Sequence, residues 1–122
     1  MLNMINILTI FIKLMFAMAV TDIALQSDWL AYTKTRINPP VVQGVVGLPE
    51  IAWYYAMGAH SMINGAGVWL VTGNVWFGVA ETAFHFITDV LKVKGVIGQH
   101  LDVIFHVICR VFYAVAYFWL IK

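Results

Sequence analysis

Four apolar stretches set the pattern of this chain, and each is broken by polar residues at four-residue steps. The first stretch lies within Leu2 to Tyr32, and the others run over about 51–71, 75–91 and 101–121. A helix that crosses a bilayer needs about 20 residues. The pattern therefore predicts an all-α chain: one integral membrane domain over 1–122, folded as a four-transmembrane-helix antiparallel bundle. Its spans fall at about 5–31, 51–71, 75–91 and 101–121, the third being short.

The connections have different characters. Thr72-Gly73-Asn74 is a tight link between spans two and three, and Lys92 to Gly98 joins spans three and four. The long connection, Thr33 to Pro49, carries Pro39, Pro40, Gly44, Gly47 and Pro49. Such a composition opposes helix and predicts an extended loop at the interface or folded over the bundle.

The polar positions form a ridge on every span. Span one has Asp22 and Gln26, and span two has His60 and Asn64. Span three has Glu81, His85 and Asp89, and span four has Asp102, His106 and Arg110. Residues four apart share one helix face, so the ridges are expected to converge inside the bundle. Counted at helical rise, Asp22, His60, His85 and His106 lie about 10–18 Å from the same membrane edge. Glu81 and Arg110 match in depth further in, which predicts a structural ion pair between them.

Composition supports the membrane class. Hydrophobic residues make up 62% of the 122 residues and charged residues 11%, against about 25% charged in soluble domains. A net charge of +1 argues against nucleic acid as a partner. Cys109 is the only cysteine, so an intrachain disulfide is excluded and a packing role is expected. Ala17-Met18-Ala19 follows an apolar run in the manner of a signal-peptide cleavage site. Lys13 interrupts that run, and an uncleaved first helix is expected.

Lysine and arginine placement sets orientation. Lys34, Arg36, Lys92 and Lys94 fall in the first and third connections, which the positive-inside rule places in the cytoplasm with both termini opposite. Trp29 and Trp53 then mark one interface, and Trp69, Trp76 and Trp119 the other. Lys13, Lys92 and Lys94 read as solvated or snorkelling interface residues. Close helix approach is expected at Ser61 and Gly65, with Gly58, Ala59 and Ala66 widening the smooth region.

Magnitude gives the ridges their meaning. Each ionised residue at the centre of a span costs about 2.5–3.5 kcal/mol, so four carboxylates demand pairing, water or a metal ion. Imidazoles with carboxylates match the ligand sets of zinc, manganese or iron. The expected metal ligands are His60, His85, Asp89, Asp102 and His106, with Asp22 as a further member. Asn64 and Gln26 are expected to hydrogen-bond between helices instead.

Thr21-Asp22-Ile23-Ala24-Leu25-Gln26, His60, the segment His85 to Lys92 and the segment Asp102 to His106 occur in this order. The series resembles the small polytopic membrane family catalogued as domain of unknown function 3307, from about Met18 onward. That family shows Asp-Phe-x-Leu-Gln-Thr, His-x-x-x-His, His-x-x-x-Asp-x-x-Lys and Asp-Gln-x-x-His segments. Here Met18, Asn64 and Val103 stand where the pattern has His, His and Gln. The candidate ligands are expected to form an intramembrane metal site near the cytoplasmic face, with fewer imidazoles than the family pattern implies. The family pattern looks like that of membrane-embedded metal-dependent hydrolases, an analogy that implies a metal-activated water.

Three functions follow as expectations. The first is metal-dependent hydrolysis of a lipid-linked or phosphorylated substrate, with Asp22 or Glu81 as general base. The second is proton or ion translocation along the carboxylate–histidine chain. The third is a non-catalytic subunit or scaffold, with membrane lipid and either a homo-oligomer or a larger membrane assembly as partners.

Overall fold

The computed structural model describes residues 2–34 and 52–120, and among these every element is helical. Helix α1 spans Leu2–Met18 and runs on into a π-helical turn, Ala19–Ala24. Helix α2 is short, Asp28–Lys34. Helices α3, α4 and α5 span Ala52–Thr72, Val75–Val93 and Gln99–Leu120.

The first apolar stretch is thus not one helix over 5–31. Thr21 Oγ1 donates to the Ala17 carbonyl at 2.9 Å, and Leu25 N reaches back five residues to Val20 O at 2.8 Å. That side-chain back-bond competes with the regular ladder and favours a widened turn. The helix then ends, and Ser27 Oγ accepts from Leu30 N at 3.2 Å to start α2. Gln26 falls in the break, so the expected Asp22–Gln26 ridge does not form. Thr33 and Lys34, expected in the long loop, belong to α2. The remainder of that loop, and with it Arg36 and the question of whether it covers the site, lies outside the described residues.

The other helix ends follow local rules. Gly73 at φ +67° lets its N–H bond Trp69 O at 2.7 Å, closing α3. Asn74 then caps α4 by accepting from Trp76 N at 2.9 Å. Gly95 at φ +73° closes α4, with Gly95 N on Lys92 O and Val96 N on Leu91 O, both at 2.9 Å. This double bond pattern is a Schellman end and requires the left-handed glycine.

Helices α3 and α4 lie against each other so closely that their glycines touch. A Cβ on Gly65 would clash with Thr82 Oγ1 and stand 2.5 Å from the Gly78 carbonyl oxygen. A Cβ on Gly78 would stand 2.8 Å from Gly65 O. Gly67 faces α1 instead, with Thr21 Cγ2 at 3.0 Å from such a Cβ. Gly58 has open space around it, and Ala59 and Ala66 are exposed, so these three do not extend the seam.

An apolar cluster of Leu14, Val68, Tyr113 and Ala114 joins α1, α3 and α5, with Phe77 of α4 packed on Tyr113. Elsewhere the interior is polar. Among the described residues, fourteen buried side chains are polar or charged and seven are hydrophobic, while Leu70, Trp76, Ile23 and Trp119 are at least 74% exposed. This inverts the usual order of a water-soluble domain. Among the described residues, two segments, Asn3–Ala24 and Gln99–Leu120, are long and apolar enough to cross a membrane.

Candidate metal centre

The close α3–α4 seam decides which histidines meet. With Gly65 against Gly78, the two helices face each other five to seven residues further on with His60 and His85, both fully buried. Their Nε2 atoms are 3.1 Å apart. The π-helical turn of α1 adds Asp22, whose Oδ1 lies 2.9 Å from His60 Nε2 and 3.5 Å from His85 Nε2. Three ligand-type atoms from three helices therefore form one small triangle. Asn64, one turn from His60, receives Thr21 Oγ1 at 2.8 Å and donates to His60 O at 3.2 Å. It is an interhelical hydrogen-bonding group that ties the π turn to α3.

Two further groups adjoin this triangle. Asp89, Asp102 and His106 form one, and Glu81, His85 and His106 the other, each with ligand atoms within 4.8 Å of one another. The His85 and His106 rings lie 4.3 Å apart, tilted by 31°. His106 Nε2 is 3.3 Å from Asp102 Oδ1, and His85 Nδ1 is 3.5 Å from Glu81 Oε1.

Protein cations separate the three groups. Arg110 Nη1 stands 2.7 Å from Glu81 Oε1, with both residues buried. Lys92 Nζ bridges Asp89 Oδ1 at 2.9 Å and Asp102 Oδ2 at 2.7 Å. Lys34 Nζ, buried on α2, holds the other Asp89 oxygen, Oδ2, at 3.0 Å. The expectation of Lys92 as a solvated interface residue is therefore corrected, because two carboxylates draw it inward. Lys94 and Lys13 are exposed as expected.

Charge counting sharpens this further. Asp22, Glu81, Asp89 and Asp102 face Lys34, Lys92 and Arg110, four negative groups against three positive. The excess falls on Asp22, whose described charged partners are the two imidazoles alone. The Asp22 side chain is 31% exposed, so water screens part of its charge. The two buried imidazoles that face it mark where a further cation, a metal ion or a proton, would bind.

Geometry tests the metal. In a tetrahedral zinc site with ligand bonds near 2.0–2.2 Å, neighbouring ligand atoms stand about 3.4 Å apart. The triangle's edges are 2.9, 3.1 and 3.5 Å. These values bracket that edge, and two neutral imidazoles with one carboxylate are a zinc-type donor set.

Sequence reasoning placed Asp22, His60, His85, Asp89, Asp102 and His106 together, and all six do lie in one contiguous network. It missed Lys34 and Lys92 as members. The signal for Lys92 was its spacing of three from Asp89 and ten from Asp102, which one helix end and a short turn bring within reach. Lys34 gave no such signal, because only the break at Leu25–Ser27 turns α2 toward α4.

Fold and site together define an all-helical protein with a polar interior and His/Asp groups able to hold a metal ion. Comparison with family models, with curated proteins and with solved structures yields no match to this chain.

Proposed function

We propose that this protein is a membrane-embedded metal-binding protein whose ion sits between Asp22, His60 and His85. The observation that carries the reading is the triangle of Asp22 Oδ1, His60 Nε2 and His85 Nε2, at 2.9–3.5 Å, free of any described protein cation. A divalent ion there covers the one negative charge that Lys34, Lys92 and Arg110 leave uncompensated, and its second charge suits an anion at the open position.

The membrane setting rests on the inverted interior and on the two long apolar segments. Buried charge of this density is costly in lipid and is retained where it serves a site. In this reading α3 and α4 also span, as members of an antiparallel four-helix bundle, their polar faces turned inward. The lysine-bearing ends lie at the cytoplasmic side, and both termini opposite. The ordered motifs around Asp22, His60, His85 and Asp102 support kinship with the family of domain of unknown function 3307.

Three protein ligands leave a fourth coordination position, the arrangement of catalytic rather than structural zinc. An ion so held supplies Lewis acidity and an acidified water. The activity that fits is hydrolysis of a lipid-linked or phosphorylated substrate, approached from the membrane. Glu81 is ill suited as general base, since Arg110 already neutralises it.

Elemental analysis of detergent-purified protein tests the reading. Wild type is expected to carry zinc, manganese or iron in stoichiometric amount, and His60→Ala and His85→Ala to carry none. Equal metal content in all three, or none in wild type after metal supplementation, defeats it.

One observation favours a second reading. The 3.1 Å separation of the two Nε2 atoms also suits an N–H···N hydrogen bond, and one additional proton on this pair, as an imidazolium, supplies the missing charge equally well. Proton flux into liposomes that disappears on His85→Ala, from protein without bound metal, would select that reading.

A further inference from the structure

Asp89 occupies an unusual place beside the triangle. Its Oδ2 lies 3.5 Å from His60 Nε2 and 3.8 Å from His85 Nε2, close to the edge of about 3.4 Å expected for a fourth tetrahedral ligand. Yet that same oxygen is the one Lys34 Nζ holds at 3.0 Å, while Lys92 holds the other oxygen at 2.9 Å. Both oxygens of this carboxylate, the one that neighbours both imidazoles beside Asp22, are thus engaged by ammonium groups. One ammonium comes from α4 itself, three residues away. The other is brought in by a separate short helix, α2, which ends on Lys34.

We propose that Lys34 is a positioning residue that keeps Asp89 off the metal ion and so keeps the fourth coordination position open. This rests on the metal site proposed above. An ion and an ammonium compete for Oδ2. While Lys34 holds it, the ion has Asp22, His60 and His85 as protein ligands and one position for an exogenous oxygen or anion. Without Lys34 the carboxylate is free to bind the ion, four protein ligands close the shell, and the site becomes structural in type. Held back by the two ammonium groups, Asp89 borders the open position without ligating the ion. The ligand class that follows is a small oxyanion group, such as the phosphate of a phosphorylated lipid headgroup. The anion is drawn by the ion's open position, since Lys34 and Lys92 are balanced by Asp89 and Asp102.

Cobalt substitution reads this directly, because its visible bands report coordination number and ligand exchange. Purified protein is titrated with cobalt, and then with azide or inorganic phosphate. Wild type is expected to show bands that shift on adding the anion. Lys34→Met is expected to bind cobalt about tenfold more tightly and to lose the anion-induced shift. Lys34→Arg retains the cation and is expected to restore the wild-type response. Asp89→Asn is expected to keep bound cobalt, with the anion shift intact.

A Lys34 that merely anchors α2 predicts unchanged or weaker cobalt binding and an unchanged anion shift in Lys34→Met. That result overturns the proposal while leaving the metal site standing. Should Lys34→Met fail to fold, Asp89→Asn still decides, since loss of cobalt there makes Asp89 a resident ligand and overturns the proposal. No cobalt in wild type, or equal cobalt in wild type and His60→Ala, overturns the metal reading itself and this inference with it.

Discussion

His60 on α3 and His85 on α4 bring their Nε2 atoms within 3.1 Å of each other, and neither side chain is exposed. Two imidazole nitrogens at that distance cannot both present lone pairs without a cation or a shared proton between them. The glycine contact five to seven residues away, Gly65 on Gly78, sets the helix separation that makes this meeting possible. Packing and chemistry are therefore linked at this seam.

The seam makes Gly65 the first point of test. Gly65→Val places carbon where Thr82 Oγ1 and the Gly78 carbonyl stand. Overpacking of this kind costs about 1–3 kcal/mol, and separating the helices pulls His60 from His85. A lowered thermal midpoint in detergent is expected, together with reduced metal content. Gly58→Val, with nothing within 4 Å, is expected to change neither.

The three adjoining His/Asp groups predict different mutational outcomes. His85→Ala removes a triangle ligand and is expected to abolish stoichiometric metal. His106→Ala is expected to retain it, because Lys92 already compensates Asp102, the carboxylate beside that imidazole. Metal analysis of the two variants side by side checks this ranking, and equal loss in both would contradict it.

Glu81 and Arg110 predict a purely structural cost. Removing one partner of a buried pair leaves an uncompensated charge, worth about 3–5 kcal/mol. Glu81→Leu alone is expected to be strongly destabilised, whereas Glu81→Leu with Arg110→Met is expected to recover most of that loss. Thermal unfolding measures the recovery, and metal content of the double variant is expected to match wild type.

Acidification has a defined sign. Metal binding requires neutral imidazoles and an ionised carboxylate, so protons compete with the ion for His60, His85 and Asp22. Affinity is expected to fall as pH decreases and to recover on return to neutral pH. A cobalt titration at several pH values measures this, and affinity that rose on acidification would count against imidazole ligation.

The sequence by itself determined the helical class, the four-residue spacing of the polar ridges on α3, α4 and α5 and the identity of the residues that carry charge. Those follow from local periodicity and from composition, which act through helix geometry and solvation without reference to neighbours. The tertiary structure decided which of those residues belong together. Glu81 and Arg110 were matched by depth alone because both sit mid-helix, and they stand 2.7 Å apart. The break after Ala24 was not legible, since Leu25 and Ile23 are apolar and the widened turn depends on the Thr21 hydroxyl and on contact with Asn64. That break directs α2 so that Lys34 reaches Asp89. Which carboxylate an ammonium neutralises is a matter of a few ångströms between helices distant in sequence. No periodicity records that distance, and it is what singles out Asp22, His60 and His85 from the larger cluster.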